Sequence, residues 1–244
     1  MSEARRILVT GGNAGIGFAL CRQLVAEHGC RVFLGSRNAE KGEGAVAKIL
    51  RAHPKCTGLL VSVRIDVSSD ESVVAAAETV KSKLDPAESL YAIVNNAGTG
   101  LAHGGSGATV LSTNLYGIKR VCEAFIPLLH PSFGRIVNVG SGVGPSYIAK
   151  ADEETRSILT NKNVTWEQIH SLCEEKLAGG DAYGLSKACA HAYTMVLARE
   201  HPQLTSSACS PGFVATAMTA FPGMCLLKLL GCVKMKTPEE GTFS

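Results

Sequence analysis

The sequence lacks the regular cysteine and histidine spacings that build disulfide frameworks and zinc sites. Its nine cysteines, an odd number, are scattered over 244 residues without a C-x-x-C pair, and its seven histidines show no ligand spacing. Structural zinc sites and small disulfide-rich domains need such spacing. We therefore expect no metal site, and we predict reduced thiols in a cytoplasmic protein.

Long apolar runs and strong net charge are missing as well. The N-terminal segment has no apolar stretch typical of a secretory signal, and no run reaches the ~18 apolar residues of a membrane span. The net charge is only +3 and no basic block stands out, which argues against a nucleic-acid partner. What is present is 45% hydrophobic residues, enough for a well-buried core.

Strand-like and helix-like segments alternate along the chain. Runs typical of buried strands lie at 6–10, 31–35, 58–65, 90–94, 134–139 and 205–209. Helical spacing fills most of the intervals, including 18–28, 39–52, 110–129 and 182–200. This alternation predicts an α/β fold, a doubly wound parallel sheet (Rossmann fold) with helices on both faces, formed as a single domain by residues 1–244.

A glycine-rich turn follows the first predicted strand and opens the first predicted helix. Glycines let the backbone approach a pyrophosphate, and the free N–H groups at the helix start face the anion. This context favours dinucleotide binding over a tight turn without a ligand. The candidate cofactor-binding residues of the turn are Gly11, Asn13, Gly15, Ile16 and Gly17.

The ends of the next strands carry further candidate cofactor residues. After the second strand come Ser36, Arg37 and Asn38. An acidic residue there would hold the ribose of NAD, whereas a guanidinium pairs with a 2′-phosphate, so Arg37 favours NADP(H) over NAD(H). The alternative is an arginine that only faces solvent. The third strand ends at Asp66 and Val67, where Asp66 either contacts the adenine amine or caps the next turn.

Small and polar residues follow the fourth strand. Asn95, Ala97 and Gly98 stand in an Asn-Asn-Ala-Gly run. Small residues at this point let a flat cofactor lie close to the backbone. The asparagine side chains could equally only tie neighbouring strands together.

Four residues have the chemistry of a proton-transfer site: Asn114, Ser141, Tyr183 and Lys187. Tyr183 and Lys187 are four residues apart, which places them on one helix face, where the ammonium favours the phenolate and lowers the tyrosine pKa. Ser141 follows the fifth strand, at the sheet edge where ligands bind. Asn114 needs a partner if it is buried, and could mark a helix kink with a bound water.

Residues 145–180 interrupt the alternation as an insertion. Two short helices are predicted at 151–160 and 165–177, the second with Thr165 and Gln168 at capping-box positions. The apolar tail at 217–236 is either a lid over an apolar substrate or an amphipathic surface helix. A peripheral membrane role would depend on residues 224–236 alone.

Taken in order, these motifs resemble the short-chain dehydrogenase/reductase family. They are the Thr10-Gly11-x-x-x-Gly15-Ile16-Gly17 turn, Asn95-Asn96-Ala97-Gly98, Asn114, Ser141, Tyr183-x-x-x-Lys187 and Pro211-Gly212. The long stretch before Tyr183 resembles the monomeric carbonyl reductases and the plant menthone and salutaridine reductases.

The resemblance implies a role for each position. Tyr183 would protonate a carbonyl oxygen that Ser141 also holds, and Lys187 would tune the tyrosine and bind the nicotinamide ribose. Asn114 would hold a water that connects Lys187 to solvent. Pro211, Gly212, Val214 and Thr216 would bind the carboxamide end of the cofactor. Because the insertion would cover the surface used by oligomeric members, we expect a monomer.

The chain departs from the carbonyl reductases at two points. Ala14 stands where they usually carry a basic residue, so phosphate recognition would depend mainly on Arg37. The chain stops at Ser244, shortly after Thr237-Pro-Glu-Glu-Gly241, and we expect the last strand of the family's sheet to be missing.

The sequence thus predicts NADPH-dependent reduction of a small, hydrophobic aldehyde, ketone or quinone. The alternative is a catalytically weak or inactive NADP(H)-binding regulatory protein of the same fold. A nucleotide-sugar epimerase is disfavoured because a larger C-terminal domain is missing, and an enoyl-thioester reductase because its Tyr–Lys spacing is wider.

Overall fold

The computed structural model describes residues 4–100, 106–212, 237, 238 and 240. Six parallel strands form one sheet: β1 (Arg6–Val9), β2 (Arg31–Ser36), β3 (Leu60–Arg64), β4 (Ala92–Asn95), β5 (Arg135–Val139) and β6 (Thr205–Cys209). Their order across the sheet is β3-β2-β1-β4-β5-β6. The chain therefore reverses its direction of travel between β1 and β4, where open α/β sheets bind their ligands.

Helices cover both faces of the sheet. They are α1 (Gly15–Ala26), α2 (Ala39–Ala52), α3 (Asp70–Lys81), α4 (Gly107–Leu111), α5 (Gly117–Phe125), α6 (Val143–Lys150), α7 (Glu153–Thr160), α8 (Trp166–Lys176) and α9 (Ala182–Glu200). None of the helices in the described ranges is both long and apolar enough to cross a bilayer. This is the predicted Rossmann arrangement.

Two apolar cores hold the layers together, one on each side of the sheet. On one side Leu34 of β2 packs with Ala45 and Ile49 of α2. On the other side the central strands pack with α3, α5 and α9, and Ile169 of the insertion joins the same cluster. Alternate residues of a strand point to opposite faces, so the near-continuous apolar runs of β1 and β2 supply both cores.

The insertion contains one helix more than the sequence predicted. Residues 143–150 form α6, which includes Pro145 and precedes the two predicted helices. A proline in the first turn costs little because its missing N–H would have no partner within the helix. The two predicted helices are present as α7 and α8, and Thr165 with Gln168 forms the predicted capping box.

The long helix predicted at 110–129 is broken into pieces. After α4, residues Ser112–Tyr116 form a π-helical turn, α5 follows, and Ile126–Leu128 is a 3-10 turn containing Pro127. A π turn accommodates one extra residue and is often found at functional sites. The expectation about a missing last strand concerns residues outside the described ranges.

Candidate active site

Tyr183 and Lys187 lie on one side of α9, within its first two turns. Asp181 caps the helix by accepting a hydrogen bond from Gly184 N at 2.8 Å. Lys187 Nζ is 6.0 Å from the centre of the Tyr183 ring. Tyr183 is partly buried and Lys187 is only 6% exposed. The two residues are therefore not an exposed pair on the surface of the helix.

The Lys187 ammonium is fixed at the carboxyl end of β5. Its Nζ donates a hydrogen bond to Val139 O at 2.8 Å. Burial lowers the pKa of Lys187 to about 8, because a charged amine loses its hydration there. A methyl group on Gly98 would lie 3.8 Å from Lys187 Nζ and 3.4 Å from Asn114 Oδ1. The end of β4, Asn114 and Lys187 thus meet at one point.

Ser141 lies directly beyond β5 and faces Tyr183. Its Oγ accepts a hydrogen bond from Val143 N at 3.2 Å, which fixes the turn into α6. Burial raises the pKa of Tyr183, and a side-chain hydrogen bond with Ser141 lowers it in part. The net direction is opposite to the predicted lowering by Lys187, because loss of hydration outweighs the hydrogen bond with Ser141. Tyr183 is therefore a protonated phenol near neutral pH.

Asn114 is the central residue of the π-helical turn and is fully buried. Its Oδ1 accepts from Thr99 N at 2.8 Å, and its Nδ2 donates to Thr99 O at 2.9 Å and to Ser186 Oγ at 3.1 Å. The hydrogen-bond partners that a buried Asn114 was expected to need are supplied by the backbone of Thr99 and by Ser186 of α9. The side chain ties the segment after β4 to the helix that carries Tyr183 and Lys187.

The glycine turn is locked to the end of β4. Thr10 Oγ1 accepts hydrogen bonds from Asn96 N at 3.1 Å and Ala97 N at 3.0 Å. Asn96 Nδ2 donates to the carbonyls of Thr10 and Gly11 at 2.9 and 3.2 Å. A methyl group on Gly17 would overlap the Asn96 amide and the Gly11 carbonyl. The small residue at Gly17 is thus required by packing within the turn.

The start of α1 fits an anionic cofactor. Ala14 precedes this helix and gives it no side-chain cap, whereas Asn38 caps α2 and Ser69 caps α3. The first N–H groups of a helix need partners, and a pyrophosphate supplies them. Gly11 and Gly15 have φ values of +65° and +55°, a conformation that favours glycine. The residues present therefore fit a dinucleotide.

The candidate adenosine end lies at the carboxyl ends of β2 and β3. Ser36 is buried and its Oγ donates to Asn38 O at 2.8 Å, while Arg37 is exposed. Asp66 Oδ1 accepts from Ser68 N at 2.9 Å and from Ser68 Oγ at 2.6 Å. Asp66 therefore caps its turn, which is the second of the two roles predicted for it. Its other carboxylate oxygen, Oδ2, takes no part in the two hydrogen bonds with Ser68. Val67 is buried beside it.

The two asparagines of the Asn-Asn-Ala-Gly run hold strands and turns together. Asn95 Nδ2 donates to Asn138 Oδ1 at 2.9 Å, which joins β4 to β5, and Asn138 Nδ2 donates to Thr194 Oγ1 of α9 at 2.9 Å. This agrees with the structural alternative for these side chains. Ala97 and Gly98 remain beside the site, where their small size leaves the backbone accessible.

The segment after β6 returns to the Ser141 turn. Gly142 N donates to Ser210 Oγ at 3.1 Å, Pro211 is buried, and Gly212 has a φ of +76°. These residues lie near the predicted catalytic turn, as their family motif implied. Val214 and Thr216, predicted to bind the cofactor, lie outside the described residues, as does the predicted apolar tail.

Sequence reasoning gave no role to three residues that shape the site. Thr10 anchors the glycine turn, Ser186 binds Asn114, and His191 packs against Gly140 just before Ser141. Ser186 and His191 stand one residue before and four after Lys187, so helical spacing could have placed them near the site. Nothing in the sequence pairs Thr10 with residues 96 and 97, which are distant in the chain.

Known proteins are similar to this chain in sequence and in fold. A family model described as short chain dehydrogenase matches residues 5–151. The chain belongs to the short-chain dehydrogenase/reductase family.

Relatives of this dehydrogenase/reductase include plant and animal enzymes. The (+)-neomenthol dehydrogenase of Arabidopsis thaliana is 34% identical over 260 residues, which cover 90% of this chain and 86% of the relative. Carbonyl reductase 1 (NADPH) of Mus musculus is 28% identical over 99% of this chain and 89% of its own. Salutaridine reductase from Papaver somniferum has a TM-score of 0.82 at 28% identity, covering 98% of this chain and 93% of its own. The predicted resemblance to this branch is confirmed.

Proposed function

We propose that the protein reduces a carbonyl group of a small, hydrophobic aldehyde, ketone or quinone to an alcohol with NADPH. The observation that carries the proposal is the meeting of Ser141, Tyr183 and buried Lys187 at the carboxyl edge of the sheet, near the uncapped start of α1. A bound nicotinamide supplies the hydride, and the protein supplies position and protons.

Tyr183 is the proton donor in this proposal. Its raised pKa keeps the phenol protonated until charge develops on the carbonyl oxygen. Ser141, which shares a hydrogen bond with Tyr183, would hold the same oxygen and stabilise that charge. The phenolate left after transfer would be stabilised by the Lys187 ammonium, 6.0 Å from the ring centre. Asn114 is proposed to hold a water that returns the proton by way of Lys187.

Cofactor contacts are proposed along the same sheet edge. The glycine turn and the ends of β2 to β4 would bind the dinucleotide through Gly11, Asn13, Gly15, Ile16, Gly17, Ser36, Arg37, Asn38, Asp66, Val67, Asn95, Ala97 and Gly98. Tyr183 and Lys187 would contact the nicotinamide ribose, and residues 211, 212, 214 and 216 the carboxamide. NADP(H) is favoured over NAD(H) by Arg37, and a relative named for NADPH supports it.

Turnover is tested by NADPH oxidation with a panel of aldehydes, ketones and quinones. We expect Tyr183→Phe to lower kcat by roughly 10²- to 10⁴-fold, the usual contribution of a general acid, while NADPH binding persists. Tyr91→Phe is the matched control, since Tyr91 lies at the amino end of β4 and accepts a hydrogen bond from Arg135. Equal rates in wild type and Tyr183→Phe would refute the role of Tyr183. Tight NADPH binding without turnover would favour the regulatory alternative.

Cofactor choice is tested with Arg37→Ala. Loss of a hydrogen bond between a guanidinium and phosphate costs about 1.5–3 kcal/mol, so Kd for NADPH should rise by roughly 10- to 100-fold. Affinity for NADH should stay the same. Arg51→Ala, an exposed arginine in the last turn of α2, serves as the control for charge alone. Equal losses for NADPH and NADH would show that Arg37 does not read the 2′-phosphate.

We also propose a monomer in the cytoplasm. The monomer is supported by the packing of α8 against α9, where Cys173 of α8 and Cys189 of α9 are buried together with Sγ atoms 3.5 Å apart. The insertion therefore occupies the outer side of the helix that carries Tyr183. The cytoplasmic location is supported by the scattered cysteine pattern of the sequence.

A further inference from the structure

A single tryptophan lies between the two helical segments that carry the proposed catalytic residues. Trp166, the only tryptophan in the sequence, is the first residue of α8 in the insertion. Its ring meets Tyr116 edge to face at 5.6 Å and Tyr193 edge to face at 5.3 Å between centroids. Tyr116 ends the π-helical turn of Asn114, and Tyr193 lies on α9 with Tyr183 and Lys187.

Further contacts hold Trp166 in this position. His170, one turn along α8, is nearly parallel to Trp166 with centroids 6.1 Å apart. His170 Nδ1 lies 2.8 Å from the Tyr116 hydroxyl. Burial raises the pKa of Tyr116 to about 12, so its hydroxyl keeps its proton near neutral pH. Lys119 Nζ lies 5.1 Å from the centre of the Trp166 ring.

The position of these two segments relative to each other decides where Asn114 points. Asn114 Nδ2 donates to Ser186 Oγ of α9 at 3.1 Å, so it links the same two segments that Trp166 contacts through Tyr116 and Tyr193. A π turn contains one residue more than an α turn. Relaxation of the 112–116 segment to regular α-helix would rotate Asn114 by about 100° relative to one flank, the rotation of one helical residue. The turn therefore needs contacts that hold it.

We propose that Trp166, aided by His170, is a positioning residue for Asn114. It would hold the π-helical turn at a set distance from α9 and so keep Asn114 beside Ser186 and Lys187. The insertion would then support the proton path as well as cover a surface. The kinetic part of this inference depends on the proposed reductase function, whereas the structural part does not.

The test compares three variants that change the contacts around Trp166 and His170 with one variant that leaves those contacts unchanged. Trp166→Leu removes the aromatic bridge, Trp166→Phe retains a smaller ring, and His170→Phe keeps the stack but loses the hydrogen bond to Tyr116. Leu159→Ala is the control, because Leu159 is buried in α7 of the same insertion and takes no part in the ring contacts of Trp166 with Tyr116, His170 and Tyr193. Hydrogen exchange is followed in residues 112–116 and 183–187, with kcat, KM and the pH–rate profile.

We expect Trp166→Leu to lower kcat by between tenfold and roughly a hundredfold, the effect of a small displacement of a catalytic group, with KM for NADPH nearly unchanged. Its pH–rate profile should shift, and exchange in residues 112–116 should rise. Trp166→Phe should recover most of the activity, and His170→Phe should be intermediate. Leu159→Ala should lose thermal stability with none of these changes.

Two results would overturn the proposal. One is equal exchange in residues 112–116 for Trp166→Leu and Leu159→Ala at matched losses of stability. The other is an unchanged pH–rate profile in Trp166→Leu. If the wild type shows no turnover, the proposed function fails, and hydrogen exchange alone still decides whether Trp166 holds the turn.

Discussion

Gly140 lies against the ring of His191, and this contact sets the end of β5. A methyl group at Gly140 would overlap His191 Nε2, and Gly140 N also donates to Cys209 O at 2.7 Å. Burial, together with the charge of Lys187, lowers the pKa of His191, so the imidazole is neutral near neutral pH. Gly140 carries only a hydrogen atom in place of a side chain, which leaves room for the His191 ring. This packing helps to position Ser141, the next residue.

Gly140→Ala should destabilise the protein by about 1–3 kcal/mol, the usual cost of overpacking, and should lower activity by displacing Ser141. The double variant Gly140→Ala/His191→Ala should recover much of the stability, because the clash is removed. Gly142→Ala is the control, since a methyl group there meets nothing within 4 Å and the backbone is in the right-handed helical region. Chemical denaturation measures all four proteins. No recovery in the double variant would contradict the packing explanation.

Burial of Lys187 should make stability depend on pH in the alkaline range. Its folded pKa is about 8 and its ordinary value is 10.5, so below pH 8 the amine is charged in both states and contributes no slope. Between these values the unfolded chain binds more protons, and wild-type stability should rise relative to Lys187→Met, by up to roughly 3 kcal/mol. Urea unfolding of both proteins from pH 7 to 10.5 measures the difference. A flat difference across this range would show that the amine is not desolvated as described.

At the scale of elements, the start of α8 is defined by its capping box. Thr165 Oγ1 accepts from Gln168 N at 3.3 Å, and Thr165 N donates to Gln168 Oε1 at 3.0 Å. Thr165→Ala should cost about 1 kcal/mol. For a chain of this size, the Tm should fall by roughly 2–4 °C.

Thr160 offers a matched control for this prediction. Its hydroxyl donates to Arg156 O at 2.8 Å in the last turn of α7, where it caps no free N–H group. Thr160→Ala should change stability by less than about 0.5 kcal/mol, as surface substitutions usually do. Equal losses in the two variants would mean that the capping box does not hold α8.

The elements also show why sequence patterns predict some boundaries and miss others. The bounds of α2, α9 and β6 agree with the predicted ranges, because periodicity and capping residues act locally. The predicted helix at 110–129 is broken, because Asn114 takes its hydrogen-bond partners from Thr99 and Ser186. No local pattern encodes those partners. The extra helix α6, Val143–Lys150, was not among the predicted helices of the insertion, and Pro145 lies in its first turn.

At the scale of the molecule, one sheet with a core on each face supports the proposal of a single domain. Leu159, Ile169 and Leu172 of the insertion join the core that contains α9. The insertion is therefore packed as a third layer on that side of the sheet. Its burial uses apolar surface that an oligomer interface would otherwise need.

We expect sedimentation equilibrium to give a mass near 25.5 kDa, that of one chain. The physical reason is that α7 and α8 lie on the outer side of α9. Measurements over a wide range of concentration serve as the control for weak association. A stable dimer or tetramer at low concentration would contradict the prediction.

The sequence alone was enough to predict the class of fold, which the structure confirms, and to name the glycine turn and the candidate residues Asn114, Ser141, Tyr183 and Lys187, because alternation, spacing and motif order are local or linear properties. The tertiary structure decided properties that depend on surroundings. Burial, which no linear pattern records, raises the pKa of Tyr183 where the Lys187 charge had predicted a lower value. The partners of Asn114 and the place of Trp166 between two helices likewise arise only when distant segments pack together.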